Sequence, residues 1–374
     1  MSNMQNSPGS YLRLMLLAAY PLLGGCGPAL VDMSHPSTDL VEQFAVSLDK
    51  QSPSLRERIA EVLADGRQNR ILSTEINAAW QIMHGVICYG RQLDVDTPDR
   101  GRVSALDYAF SGGQIDGFEL MLGSKPLTST GRVGLKARLE PGSYTGQGHV
   151  DQWLAIFAMA DLPLDTPVTH AGQSMTLLDW ARQAQYDASQ NMLDEFSWTL
   201  IALTHYFPDE PTWQAADGIV SWELLVEAEL TYDLDDSPCG GTHRLAGITR
   251  ALRAKQRLGL ADSPVWQKAQ DLVDQCLVRA KEQRSADGGI SSQYFSRPGV
   301  TADLSAELAS SGHVFEFIAL AASADELATP WFELAALRLC EILDRTQRLE
   351  LDCGGLYHAL NGLKIYQQRR WPGT

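Results

Sequence analysis

Gly148-His149-Val150-Asp151-Gln152-Trp153-Leu154-Ala155 returns later in the chain as Gly312-His313-Val314-Phe315-Glu316-Phe317-Ile318-Ala319. A second phrase does the same: Cys239-Gly240-Gly241-Thr242-His243-Arg244-Leu245-Ala246-Gly247 returns as Cys353-Gly354-Gly355-Leu356-Tyr357-His358-Ala359-Leu360-Asn361-Gly362. Each phrase sets small or reactive residues directly ahead of an apolar stretch, so each reads as the N-terminus of a helix in a repeating architecture.

Working outward from these phrases, two kinds of helix alternate. Ile76 to Tyr89, Val150 to Ala160, Phe196 to Tyr206, Leu245 to Leu252, Val314 to Ala322 and Leu356 to Tyr366 are apolar nearly all round, and such helices must be covered on every side. Leu55 to Leu63, Met175 to Gln185, Ile219 to Leu230, Val265 to Glu282 and Trp331 to Gln347 are amphipathic. Ser263-Pro264 and Thr329-Pro330 each place an N-cap before a Pro at the first helical position. From residue 149 onward the order is buried, amphipathic, buried, amphipathic, the pattern of a helical-hairpin repeat. The expectation is therefore an all-α fold, an α/α toroid of six inner and about six outer helices. The stretch from 95 to 147 is rich in Gly and alternating residues and reads as a short helix near 103 to 110 followed by a β-hairpin or loop insertion.

The chain has 374 residues, 44% of them hydrophobic, and a formal charge of −16. That charge argues against nucleic acid or an anionic membrane surface as partner. Arg13, the apolar run Leu14 to Leu23 and then Leu23-Gly24-Gly25-Cys26 match a bacterial lipobox. Residues 1–26 are expected to be a lipoprotein-type signal peptide, 27–45 a tether and 46–374 the folded domain, exported to the periplasm or cell envelope and anchored by lipid on Cys26. Five cysteines then remain, an odd number that cannot all pair.

In such a ring the inner helices run parallel and their N-termini meet at one rim. His149, Glu195, Cys239, His243, His313, Glu316, Cys353, Tyr357 and His358 are then expected together, and they include four of the chain's eight His. His and Glu in a half-buried pocket suit general acid–base catalysis, so His149, Glu195, His243, His313, Glu316 and His358 are candidate catalytic residues. Cys239 with His243 is an i, i+4 pair, and with Cys353 it makes a zinc-competent set. A Cys239–Cys353 disulfide and a purely structural role for both thiols remain open beside it. Trp153, Trp198, Phe315 and Tyr357 are candidates to line the pocket. Asp233-Leu234-Asp235-Asp236 matches the DxDD element with which class II terpene cyclases protonate an alkene, with Asp235 as the acid, and equally suits a polar turn. Trp80, His84 and Cys88 share one helix face, with His84 satisfied by a neighbouring carbonyl in the plainer reading.

Asp287-Gly288-Gly289-Ile290 after Gln283 resembles the Asp-Gly-rich turns of terpenoid cyclase and protein prenyltransferase toroids. More closely, Ala79 to Gly85, Gly148 to Ala155, Cys239 to Leu245, Asp287 to Phe295 and Cys353 to Leu363 together resemble a family of exported α/α-toroid proteins from planctomycete-type bacteria. Its members sometimes carry a label naming a GTPase-activating protein directed at ADP-ribosylation factor. That activity uses a CxxC…CxxC zinc finger, and this chain has no CxxC. The resemblance implies an enzyme-like ring whose mouth takes an isoprenoid-like or glycan substrate. The alternatives are a non-catalytic envelope binding or scaffold protein, or a zinc site resembling that of lanthionine cyclases, whose Cys-His-Gly motif is absent here.

Overall fold

Thr176-Leu177-Leu178-Asp179 and Ser221-Trp222-Glu223-Leu224 show how the sequence switches from strand to helix. A computed structural model describes residues 53–373 apart from 128 and 192–194. The expected signal peptide, the tether, Cys26 and His35 lie outside the described residues. From Pro53 onward the chain forms one compact unit.

In chain order, α1 (Leu55–Asn69) leads through the two-residue strand β1 (Leu72–Ser73) into α2 (Ala79–Tyr89). The hairpin β2 (Asp94–Thr97) and β3 (Gly101–Ser104) runs straight into α3 (Ala105–Phe110). A second hairpin, β4 (Leu120–Pro126) and β5 (Val133–Ala137), precedes α4 (Gln152–Met159). The hairpin β6 (Pro167–His170) and β7 (Gln173–Thr176) runs into α5 (Leu177–Asp187), which is followed by α6 (Ser197–Tyr206). The last hairpin, β8 (Thr212–Ala215) and β9 (Gly218–Ser221), runs into α7 (Trp222–Glu229) and then α8 (Thr242–Leu258). The remainder is helical: α9 (Pro264–Glu282), α10 (Leu304–Ala321), α11 (Ala324–Leu327), α12 (Pro330–Arg345) and α13 (Cys353–Arg370).

The expected all-α toroid is corrected by these strands. The described protein is 54% helix and 13% strand, with four small sheets, one of three strands and three of two, so its class is mixed α/β. The physical reason lies in the turns. Ala171 and Gly172 hold φ of +48° and +76° at the tip of β6–β7, the two left-handed positions that a type I′ hairpin requires. Between β8 and β9 the turn is Ala216-Asp217, followed by Gly218 at φ +150°. At the far end of each hairpin a Thr or Ser stands at the N-cap of a helix. The Thr176 backbone N–H donates to Asp179 Oδ2 at 2.9 Å, the reciprocal bond of a capping box, and Leu224 N–H donates to Ser221 Oγ at 3.1 Å, an N-cap bond.

The apolar helices behave as their composition demands. α2 packs on α4, α4 on α6, α6 on α8, α8 on α10, α10 on α13, and α13 returns to α2. Trp153, Trp198, Phe315 and Tyr357 on these helices are essentially solvent-free. The α10–α13 crossing needs glycine. A Cβ on Gly312 would lie 2.8 Å from Ala359 N and from Gly355 O, closer than side chains tolerate, so this repeated glycine is a packing requirement. The amphipathic helices cover the outside: α12 packs on α1 and α10, and α9 on α7, α8 and α10. Trp266 and Trp331, just inside the Pro264 and Pro330 starts, are buried as anchors. No described helix is long and apolar enough to cross a membrane.

Candidate metal centre

Pro238 precedes Cys239, and the chain there enters α8 through three consecutive left-handed residues. Cys239 has φ +52°, Gly240 +61° and Gly241 +71°. The first is a side-chain-bearing residue in a conformation that L residues rarely adopt. The turn is fixed by Thr242 Oγ1, which donates to the Cys239 carbonyl at 3.0 Å. It is clamped from behind by a buried ion pair. Arg244 Nη1 lies 2.9 Å from Glu229 Oε2, with both side chains almost fully buried. Glu229 also accepts from the Phe196 N–H at 2.5 Å and from Ser197 Oγ at 2.9 Å. One carboxylate thereby ties the start of α6 to the first turn of α8.

Cys239, His243 and His313 come together: one ligand atom from each lies within 4.8 Å of the others. The cluster could hold a metal ion, and it is the one such His/Cys/Asp/Glu group found among the described residues. Cys353, expected as a ligand, is not part of it. It is the first residue of α13, buried, with its thiol pushed up to about 12 by burial and by the Asp352 charge. All five described cysteines are free thiols.

His313 and the histidines around the three ligands are held by their Nδ1 atoms. His313 Nδ1 lies 2.7 Å from the Ala309 carbonyl, and His84 Nδ1 lies 2.6 Å from the Trp80 carbonyl. A carbonyl only accepts, so each of these nitrogens carries a proton. His358 Nδ1 lies 2.5 Å from Glu316 Oε2, and Asn361 Nδ2 donates to Glu316 Oε1. His149 Nδ1 pairs with Glu195. The ring of His358 lies 4.2 Å from that of His313 and 5.1 Å from that of His243, centroid to centroid. The Nε2 atoms of His243 and His358 are buried and have no hydrogen-bond partner. For His358 the orphaned nitrogen is backed on the other ring edge by the Glu316 carboxylate, the second-shell pattern of metal-binding histidines.

Electrostatics follow from burial. His243 and His358 are pushed well below the ordinary histidine range, by desolvation first and by the neighbouring imidazoles second. His84 falls to about 4 for the same first reason. For His313 burial works in the same downward direction, but the Cys239 sulfur, the Ala309 carbonyl and Glu316 together raise it to about 9. Burial raises Glu316 to about 7, against the pull of Asn361 and His313.

The sequence-derived candidates divide cleanly. His149, Glu195, His243, His313, Glu316, His358 and Cys239 converge, together with Trp198, whose ring lies 4.7 Å from that of His243. Yet the helix starts do not align as expected. His313 is ten residues into α10, because Asp303 caps that helix early by accepting from Ser305 N–H at 2.9 Å. Phe315 faces outward onto Phe332 and Tyr366, and Tyr357 packs edge-on to Tyr89. Trp153 is buried, with its backbone N–H donating to Gln147 at 3.0 Å. Asp235 is exposed in a turn where its N–H donates to Asp233 Oδ1 at 3.0 Å. Glu229, Arg244 and Asn361 escaped the sequence reading, since nothing local marks a buried ion-pair partner. Tyr294 escaped it as well. This residue has φ +54°, and its ring lies against Gly240. Comparison of the chain with protein-family models, curated proteins and solved structures finds no match.

Proposed function

We propose that this protein is a zinc-dependent enzyme whose metal is held by Cys239, His243 and His313 and keeps a fourth position for water. The carrying observation is the convergence of one thiol and two imidazoles within 4.8 Å, with His313 already oriented by the Ala309 carbonyl. A one-Cys, two-His set matches zinc's preference for sulfur and nitrogen, and three protein ligands are the number in catalytic zinc sites. His149 stands at the solvent side of His243, its ring 5.8 Å away, with Glu195 on its Nδ1. It is placed to exchange a proton with a substrate arriving from outside. Glu195 and Glu316 are each committed to a histidine, which favours metal-activated water over a pair of opposed carboxylates. The reading is hydrolysis or elimination on a polar substrate. A glycan suits the rim, where the ring of exposed Tyr144 lies 4.9 Å from that of Trp80.

A second reading rests on the strained Cys239. A thiol beside a raised His313, at φ +52° and ahead of a helix, has the form of a nucleophile with its base. Metal analysis of the purified full chain separates the two. The zinc reading expects about one zinc per chain, lost in Cys239→Ser and His313→Ala, and a thiolate-to-cobalt absorption band after cobalt exchange. Metal-free protein whose Cys239 is selectively alkylated at neutral pH would overturn it in favour of the nucleophile. Copper in place of zinc would also overturn it, since a Cys/His/His set is shared by copper electron-transfer sites.

A further inference from the structure

Where the C-terminal ends of α2 and α4 meet α1 and α13, a cavity of about 670 Å³ opens, within the size range of small-molecule sites. It stands apart from the histidines, one helical turn beyond His84 at Cys88 and about 9 Å along α13 from His358 at Lys364. We propose that this cavity binds a small organic anion with a carboxylate or phosphate head.

The argument starts from charge. The chain has 46 acidic and 30 basic residues, yet the cavity wall carries Arg67, Arg91 and Lys364 against a single acid, Asp161. Asp161 is largely exposed and lies 4.0 Å from His205 Nδ1. Helix C-termini alone would make this end negative, and Lys364 offsets that by donating to the Cys88 carbonyl at 2.6 Å. One N–H is spent there out of three. Arg67 spends one on Gln92 Oε1 at 2.9 Å, leaving most of its guanidinium free for an oxyanion. Arg91 is paired with Asp107 at 2.8 Å and adds field more than contact. Leu63 and Leu162 line the same cavity and offer an apolar surface to the carbon body of a ligand. A bare inorganic ion would not use that wall.

Calorimetric titration of the full chain with inorganic phosphate, phenyl phosphate and benzoate at matched ionic strength tests this. Saturable binding is expected, with an aromatic anion tighter than inorganic phosphate. The phosphate and carboxylate arms report which head is preferred. Arg67→Gln combined with Lys364→Gln should weaken binding about tenfold or more. Lys268→Gln, outside the cavity, should leave it unchanged, and so should Cys239→Ser, which removes the proposed metal ligand. If the double variant fails to fold, Arg67→Gln alone, on an exposed stretch of α1, should still weaken binding about threefold. No saturable binding to any probe would overturn the proposal. Equal weakening by Lys268→Gln would also do so, and loss of binding confined to Cys239→Ser would assign the anion to the metal centre instead.

Discussion

Cys239-Gly240-Gly241 and Cys353-Gly354-Gly355 are the same three letters ahead of two buried helices, and they end in different conformations. The first follows Pro238 and winds left-handed into α8, with its sulfur beside two imidazoles. The second follows Asp352, whose Oδ1 accepts the Gly355 N–H at 3.0 Å, and becomes the ordinary first turn of α13. An acid cap makes the Cys353 thiol part of a helix. A proline and two glycines in the left-handed region make the Cys239 thiol a site. The position five residues after each Cys sharpens the contrast. In α8, Arg244 follows His243 and is spent on a structural ion pair with Glu229. In α13 the second histidine of the comparison, His358, is spent on Glu316, and its free nitrogen faces the cluster.

The largest expected break in this comparison is metal content. Cys239→Ala should abolish it, whereas Cys353→Ala should retain it in full, measured by elemental analysis of the two purified variants. Equal retention would remove the distinction between the two phrases. Next comes the clamp behind α8. Arg244→Ala leaves Glu229 buried and unpaired and should cost about 3–5 kcal/mol in chemical denaturation. A cost under about 1 kcal/mol would show that the ion pair does not hold the turn. Gly240→Ala then tests the turn itself. Its φ is +61° and a Cβ would lie 2.3 Å from the Tyr294 ring, so a loss of about 2–4 kcal/mol is expected. Gly354→Ala, at a helical φ but with a Cβ 2.9 Å from Asp352 Oδ1 and 3.1 Å from the Trp80 ring, should cost less, about 1–2 kcal/mol.

A smaller effect concerns pH. His84 has its folded pKa lowered to about 4 by burial, so between that value and about 6.5 the unfolded chain takes up a proton that the folded one refuses. Stability therefore falls as pH drops through this window, by about 1.4 kcal/mol per pH unit from this residue. Equilibrium denaturation of His84→Gln between pH 4 and 6.5 should show a slope shallower by that amount. An unchanged slope would mean that His84 titrates normally, outside the histidine layer. The smallest expected effect is the stability cost of Cys353→Ala, about 1 kcal/mol for a small buried side chain.

Much of this was legible in the sequence for reasons that are local. Ser263-Pro264 and Thr329-Pro330 announce α9 and α12, because a capping residue and a fixed φ act within one turn. The recurring His pointed to the cluster, whereas the repeat of the Cys did not, because Cys353 falls outside it. The strands were the main omission. The periodicity of Met175 to Gln185 and Ile219 to Leu230 absorbed β7 and β9 into the helices they introduce. Asp217-Gly218, between Trp213 and Val220, was the hairpin signal available there. Glu229 could not be found at all from sequence. Its role depends on Phe196 and Arg244, which only tertiary packing brings to it, and Asn361 was hidden for the same reason, since only packing sets it beside Glu316.

The return of α13 to α2 carries a consequence for the order of assembly. His84 belongs to the first of the six buried helices and His358 to the last, and their rings lie 5.5 Å apart. Lys364 seals the same seam on the Cys88 carbonyl. Contacts between such distant parts of a chain are entropically the most expensive to close and tend to form late. A polypeptide emerging from the ribosome would thus present Cys239, His243 and His313 before the layer beneath them exists. The histidine layer is complete only when the last of these helices has docked.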